Sequence, residues 1–167
     1  MARISVSDLE KIREKHKNER LVFASGGFDL THAGHVLFFE DCKKHGDILA
    51  VMIGSDAIMK KEKGDLRPIF NEHMRMKMVD SLKPVDYVFL AEPTGPDRHP
   101  QYFLDVVMGY LKPDAYVINE DASDIPYRRK FMEKYPYTKL IVLPRSAPPE
   151  FDAVSTTKII EKIKKLP

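Results

Sequence analysis

The strongest restriction on the fold is an alternation of short apolar runs with helix-like stretches. Leu21 to Ser25 is apolar and stops at Gly26-Gly27, which reads as a buried strand entering a tight turn. His35 to Lys44 carries Val36, Leu37 and Phe39 and ends before Gly46, as a helix would; Asp47 to Gly54 is a second apolar run. Strand, glycine turn, helix and strand within about 35 residues make a βαβ unit with parallel strands and a right-handed crossover. The pattern repeats: Val85 to Leu90, Ala115 to Ile118 and Leu140 to Leu143 are further strands, with helices expected at Glu72 to Leu82, Gln101 to Leu111 and Tyr127 to Tyr135 and a last one from Ser155. The expected fold is therefore α/β, a Rossmann-like, doubly wound parallel sheet of about five strands flanked by helices. Ligands of such sheets bind beyond the C-terminal ends of the strands, where Pro93 to Pro100 and Pro144 to Asp152 read as loops.

Ser7-Asp8-Leu9-Glu10 has capping-box spacing and predicts a short peripheral helix over about 7–17. A chain of 167 residues, with no repeat or low-complexity tract, fits a single domain spanning 1–167. The 27 basic and 25 acidic residues leave a net charge of +2, too small to imply nucleic acid or a membrane as partner, so any phosphate site must be local. No run is long enough to span a bilayer, and Met1 to Arg20 lacks a signal peptide's apolar stretch. Cys42, the single cysteine, forms no intramolecular disulfide and reads as packing, in keeping with a reducing, cytoplasmic setting.

Directly after the first strand stands Gly26-Gly27-Phe28-Asp29-Leu30-Thr31-His32-Ala33-Gly34-His35. Two histidines thus fall where a helix begins, beside unpaired N–H groups and a partial positive charge that attract phosphate, while the glycines admit a ligand close to the backbone. Neither G-x-G-x-x-G nor a Walker-type G-x-x-x-x-G-K occurs. The decapeptide resembles the G-x-F-D-x-x-H-x-G-H signature of the cytidylyltransferase-like nucleotidyltransferases and matches every fixed position. Two further segments of that family follow in order: Ser55-Asp56-Ala57 to Lys60 with Lys63-Gly64 and Arg67-Pro68, and Ser155-Thr156-Thr157-Lys158-Ile159-Ile160.

The resemblance implies that His32, His35, Lys60 and Lys63 are catalytic. It implies that Gly26, Gly27, Phe28, Asp29, Gly34, Arg67, Ser155, Thr156 and Thr157 bind the nucleotide. The histidines would stabilise charge while an acceptor phosphate attacks the α-phosphorus, with no covalent enzyme intermediate; the lysines would add charge from the opposite side, Mg²⁺ would bridge the departing phosphates, and the chain would pair as a homodimer. Positioning and charge neutralisation are what phosphoryl transfer demands. The implied partners are a nucleoside triphosphate and a small phosphorylated acceptor.

One departure bears on substrate. Several cytidylyl-transferring relatives carry an arginine shortly before S-T-T, where this chain has Glu150-Phe151-Asp152. That segment is closer in character to heptose-phosphate adenylyltransferases and tilts the nucleotide toward ATP, although Arg145 could swing in to replace the arginine and restore CTP. After the fourth strand, Asn119-Glu120-Asp121-Ala122-Ser123-Asp124 is acidic. Asn119, Glu120 and Asp121 either recognise acceptor groups or form a solvated loop and cap for the helix bearing Arg128 and Arg129.

Other residues have plainer readings. His32 and His35 have too few companions for a closed zinc site, so no resident metal is expected. His16, His45, His73 and His99 read as ordinary residues. Arg67-Pro68 either starts the next helix or reaches nucleotide or a dimer partner, with Arg75 the lesser candidate. The eight methionines read as core or interface filler, and Lys158, Lys162, Lys164 and Lys165 as a solvated face near a helix C-terminus. A nucleotidyltransferase is the first reading; a non-catalytic nucleotide-binding sensor or scaffold is the second. FMN adenylyl transfer, and transfer to nicotinamide or pantetheine phosphate, are lesser ones.

Overall fold

The computed structural model describes residues 8–91, 102–122, 124–145, 147–151 and 155–166. Its strands are β1 (Leu21–Gly26), β2 (Ile48–Gly54), β3 (Tyr87–Ala91), β4 (Ala115–Asn119) and β5 (Lys139–Leu143). The helices are α1 (Leu9–Lys15), α2 (Ala33–Lys43), α3 (Asp56–Lys63), α4 (Glu72–Asp80), α5 (Tyr102–Tyr110), α6 (Ile125–Met132) and α7 (Thr156–Ile163). The five strands form one sheet of order β3-β2-β1-β4-β5, and every neighbouring pair is parallel. This is the Rossmann-like architecture expected.

Side chains alternate along each strand, so β1 feeds two cores. Leu21 and Phe23 join a layer with Leu9 and Ile12 of α1, Leu104 and Met108 of α5 and Phe131 of α6. Val22 and Ala24 face Phe38 and Phe39 of α2 and Met76 and Val79 of α4. Helices thus cover both faces, and the chain steps from edge strand β3 back to β4 beside β1. That reversal opens a crevice over the C-terminal ends of β1 and β4.

Three local readings change. Residues 56–63, read only as a lysine-bearing segment, are helix α3: Ser55 Oγ accepts the Ile58 N–H at 3.3 Å, and the helix stops at Gly64, whose φ of 88° suits glycine. Helix α1 is shorter than the expected 7–17, has Asp8 at its N-cap, and contributes Leu9 and Ile12 to the core; Ser7 of the expected capping box lies outside the described residues. Arg67-Pro68 does not start a helix, because α4 begins only at Glu72, behind the Asn71 cap. Of the central methionines, Met76 is core whereas Met74 and Met78 are exposed. The expected loop Pro93 to Pro100 lies outside the described residues. Among those described, no helix is long and apolar enough to cross a membrane.

Candidate active site

The loop between β1 and α2 is held in a shape that its sequence does not adopt freely. Phe28 and Leu30 have φ of 47° and 46°, left-handed values that cost a side-chain-bearing residue energy. Asp29, 2% exposed, fixes the loop between them. Its Oδ1 accepts N–H bonds from Leu30 and Phe70; its Oδ2 accepts the Ile69 N–H at 2.9 Å and the Arg67 guanidinium at 2.9 and 3.0 Å. Burial raises the carboxyl pKa, but the Phe70 and Ile69 amides and the Arg67 charge outweigh it and hold the group below its ordinary value. Asp29 and Arg67, both expected to meet nucleotide, are in this structure engaged with each other, and the carboxylate is saturated by protein donors.

Arg75 completes the scaffold from beneath. It is fully buried, and its guanidinium donates to the Gly27 carbonyl at 2.7 Å, to Asp56 Oδ1 at 2.8 Å and to the Phe70 carbonyl at 3.0 Å. The glycine turn, the start of α3 and the 64–71 segment thereby become one unit. Arg75 is the lesser candidate of the two in sequence; only the fold shows three acceptors around it. Gly27 has its own constraint: a Cβ there would lie 2.5 Å from the Met59 side chain of α3.

The two histidines come together as the spacing suggested. His32 is the N-cap of α2 and His35 its third residue, with stacked rings 3.9 Å apart. Phe28 meets the His35 ring edge-on at 5.4 Å, and behind it lies Phe39. The His32 N–H donates to His35 Nδ1 at 3.3 Å, so that nitrogen is an acceptor and the ring's proton belongs on Nε2. His32 Nδ1 is buried with no hydrogen-bond partner among the described residues, a situation that costs free energy until a ligand or water satisfies it.

Burial, then the charges of His32, Arg145 and Lys63, push the His35 pKa down to about 3 against a weaker pull from Asp29; burial and Arg145 lower that of His32. Both shifts favour the neutral imidazole, so that the His35 ring presents an N–H at Nε2 rather than a positive charge. A lowered pKa keeps the neutral form present to more acid pH. The free-enzyme kcat/KM is therefore expected to stay level from pH 8 down to about 6.5, the ordinary histidine value. A pH–rate profile that declines as pH rises through 6 to 7 would show that an imidazolium is required.

A second helix start meets the same loop. Thr156 at the head of α7 donates its hydroxyl to the Asp29 carbonyl at 2.8 Å, and Ser155 caps α7 by accepting the Lys158 N–H at 3.2 Å. Thr157 is exposed beside them. The N-termini of α2 and α7, each with free N–H groups and a partial positive charge, are thus joined through residues 29–32. Lys63 Nζ lies 3.8 Å from where a Gly27 Cβ would stand, which sets it over the glycine turn. Lys60, one turn earlier on α3, is exposed.

Beside the histidines is a cavity of about 410 Å³, lined by Gly34, Leu37 and Phe38 of α2, Asn119 at the end of β4, Arg145 after β5, and Lys158. Its size suits a small ligand. Lys158 corrects its reading as part of a solvated C-terminal face, since Ser155 caps the helix and places Lys158 in the first turn. The acidic segment is partly accounted for: Glu120 accepts the Arg145 backbone N–H at 2.9 Å and Asp121 pairs with the Arg145 guanidinium at 2.5 Å. Cys42 is buried, its thiol pKa pushed up by burial, as packing requires. Among the described residues, no three His, Cys, Asp or Glu side chains gather as a metal site.

The chain's similarities agree with this geometry. Residues 23–162 match the cytidylyltransferase-like family model. The bifunctional protein HldE of Helicobacter pylori (strain ATCC 700392 / 26695) is 36% identical over 161 residues, which cover 96% of this chain and 31% of that protein. HldE of Campylobacter jejuni subsp. doylei is 36% identical over 152 residues, 90% of this chain and 29% of its own length. The chain therefore spans about a third of these curated relatives. The structure of the lipopolysaccharide core biosynthesis protein from Thermoplasma volcanium GSS1 aligns with a TM-score of 0.60 at 25% identity, covering 78% of this chain and 98% of that one. The pantoate-beta-alanine ligase of Francisella tularensis shares the fold, with a TM-score of 0.63 at 17% identity over 99% of this chain and 79% of that one. With its glycine turn, paired histidines and capped α7 joined over one parallel sheet, and the family match spanning all of them, this chain belongs to the cytidylyltransferase-like family of nucleotidyltransferases.

Proposed function

We propose that the chain transfers an adenylyl group from ATP to a phosphorylated sugar or polyol and releases pyrophosphate. The observation that carries this reading is the joining of two helix N-termini with His32 and His35 through Thr156 and Asp29, an arrangement that matches a polyanion. The nucleoside enters the cavity beside Leu37 and Phe38, and its phosphates extend along the histidines toward the glycine turn. An oxygen of the acceptor phosphate attacks the α-phosphorus from the Lys63 side. The new P–O bond forms as the bond from the α-phosphorus to the α,β-bridging oxygen breaks, and pyrophosphate departs with the electron pair. His35 Nε2–H and the amides of α2 and α7 donate to the charge that grows on the phosphate oxygens.

Mg²⁺ fits as an ion carried by the substrate. The Asp29 carboxylate is occupied by protein donors, so the metal's ligands would be phosphate oxygens and water. Bound there, it would neutralise charge on the departing phosphates. ATP is preferred over CTP because Glu150-Phe151 precedes α7 where cytidylyl-transferring relatives place arginine. A sugar acceptor is in keeping with the name of the Thermoplasma volcanium protein, which assigns it to lipopolysaccharide core biosynthesis.

The test is a pyrophosphate-release screen of the purified protein with Mg²⁺, each nucleoside triphosphate and a panel of phosphorylated acceptors. ATP with a sugar or polyol phosphate is expected to give the highest rate. Release with no combination would overturn the enzymatic reading; a preference for CTP would overturn the choice of base.

A further inference from the structure

Away from the glycine turn, three side chains from the end of α1 gather at one tyrosine. Tyr87 opens β3, which is an edge strand of the sheet. Lys15 Nζ donates to the Tyr87 hydroxyl at 3.0 Å, and His16 Nε2 meets the same oxygen at 2.8 Å. His16 Nδ1 lies 2.6 Å from a Glu19 carboxylate oxygen. In sequence His16 reads as an ordinary residue, yet the fold leaves it 8% exposed with both ring nitrogens engaged.

The donor and acceptor chemistry sets the direction of these bonds. An ionised carboxylate only accepts, so the ring proton sits on Nδ1 and Nε2 of the neutral imidazole faces Tyr87 as an acceptor. An ammonium only donates, so the phenol proton goes to His16 rather than to Lys15. Tyr87, His16 and Glu19 thus stand as a nucleophile, a base and a group that orients the base, the arrangement by which a hydroxyl is activated. The turn that carries the base is itself fixed. Arg13 Nη2 donates to the carbonyls of His16 and Glu19 at 2.7 and 3.1 Å, and the Glu19 N–H donates to the His16 carbonyl at 3.0 Å.

We propose that Tyr87 is a nucleophilic modification site that takes an activated phosphoryl group, in a reaction separate from the nucleotidyl transfer above. Tyr87 Oη attacks the phosphorus; a P–O bond forms as the bond to the leaving group breaks, and that group departs with the electron pair. The phenol proton passes to His16 Nε2, and Glu19 pairs with the imidazolium. Phosphorus is favoured over an acyl carbon because Lys15, beside the attacking oxygen, meets the charged phosphoryl oxygens.

An alkyl fluorophosphonate, whose leaving group is fluoride, probes this on the full chain, with adducts located over time by peptide mass spectrometry. Tyr110, Tyr127 and Tyr137, exposed by 48%, 41% and 49%, are internal controls. Tyr87 is only half-buried to their exposed, yet it should label at least about 10-fold faster, a conservative share of what a positioned base contributes. His16→Gln lacks the base and should slow labelling of Tyr87 about 10- to 100-fold, leaving the controls unchanged. Glu19→Gln and Lys15→Met should slow it less, and Tyr87→Phe should lose the adduct. A cluster that served only as a structural tie would behave in the opposite sense: His16→Gln would loosen Tyr87, and its labelling would hold or rise. That result, or labelling of Tyr87 no faster than the controls in the unaltered protein, would overturn the proposal. If a thermal melt shows His16→Gln unfolded, Glu19→Gln, at a side chain 45% exposed, decides in its place: slower labelling supports the site, and unchanged or faster labelling removes it. None of these readouts needs nucleotide or acceptor, so the enzymatic reading stands or falls separately.

Discussion

Replacement of His35 by alanine is expected to lower turnover about 10²- to 10³-fold, the loss that follows removal of one preorganised donor to developing charge. The change removes the Nε2–H that the His32 N–H orients through Nδ1. It also removes a ring stacked on His32 and set against Phe28. The ring sits partly buried in the first turn of α2, beside a loop that Asp29 holds independently, so the melting temperature should move far less than the rate. Steady-state kinetics beside a thermal melt separate the two, and near-normal turnover in a folded variant would remove His35 from the chemistry. His35→Gln, which keeps a neutral N–H donor at a different reach, should fall between.

Asp29→Ala is expected to cost about 3–5 kcal/mol of stability, the range for breaking a buried ion pair from one side. It strands the Arg67 guanidinium and leaves the Ile69 and Phe70 N–H groups without their acceptor. It also releases a loop whose flanking Phe28 and Leu30 sit at positive φ. Urea unfolding gives the loss directly, and a cost below 1 kcal/mol would show that the loop is held by something else. The same carboxylate has a pH signature. Its folded pKa lies below the ordinary value of 3.8, so its stabilisation is complete above pH 3.8 and is lost as pH falls through the lower, folded value. In Asp29→Asn that share of acid sensitivity should vanish.

Much of the architecture is legible because the strands are buried on both faces and read as nearly continuous apolar runs, as in Asp47 to Gly54. The ends of elements are less so. The apolar run of β1 ends at Ser25 but the strand pairs through Gly26, and α2 starts at Ala33 rather than at His35, since capping geometry rather than hydrophobicity decides where helices begin. Helix α3 is obscure in sequence although Ser55 and Gly64 are cap residues, because Lys60, Lys61 and Lys63 crowd a short segment with charge and leave little apolar periodicity. The paired histidines were legible from local spacing. The roles of Arg75 and Asp121 were not, because each depends on a residue distant in sequence: Gly27 lies 48 positions from Arg75, and Arg145 lies beyond the whole of α6 and β5 from Asp121.

The contact between Thr156 and Asp29 joins residues 127 positions apart. During synthesis, a chain grown to residue 150 already holds every described strand and both imidazoles, yet lacks the helix that bonds the loop before them. If this site takes a triphosphate as proposed, that capacity should arrive late, when α7 docks.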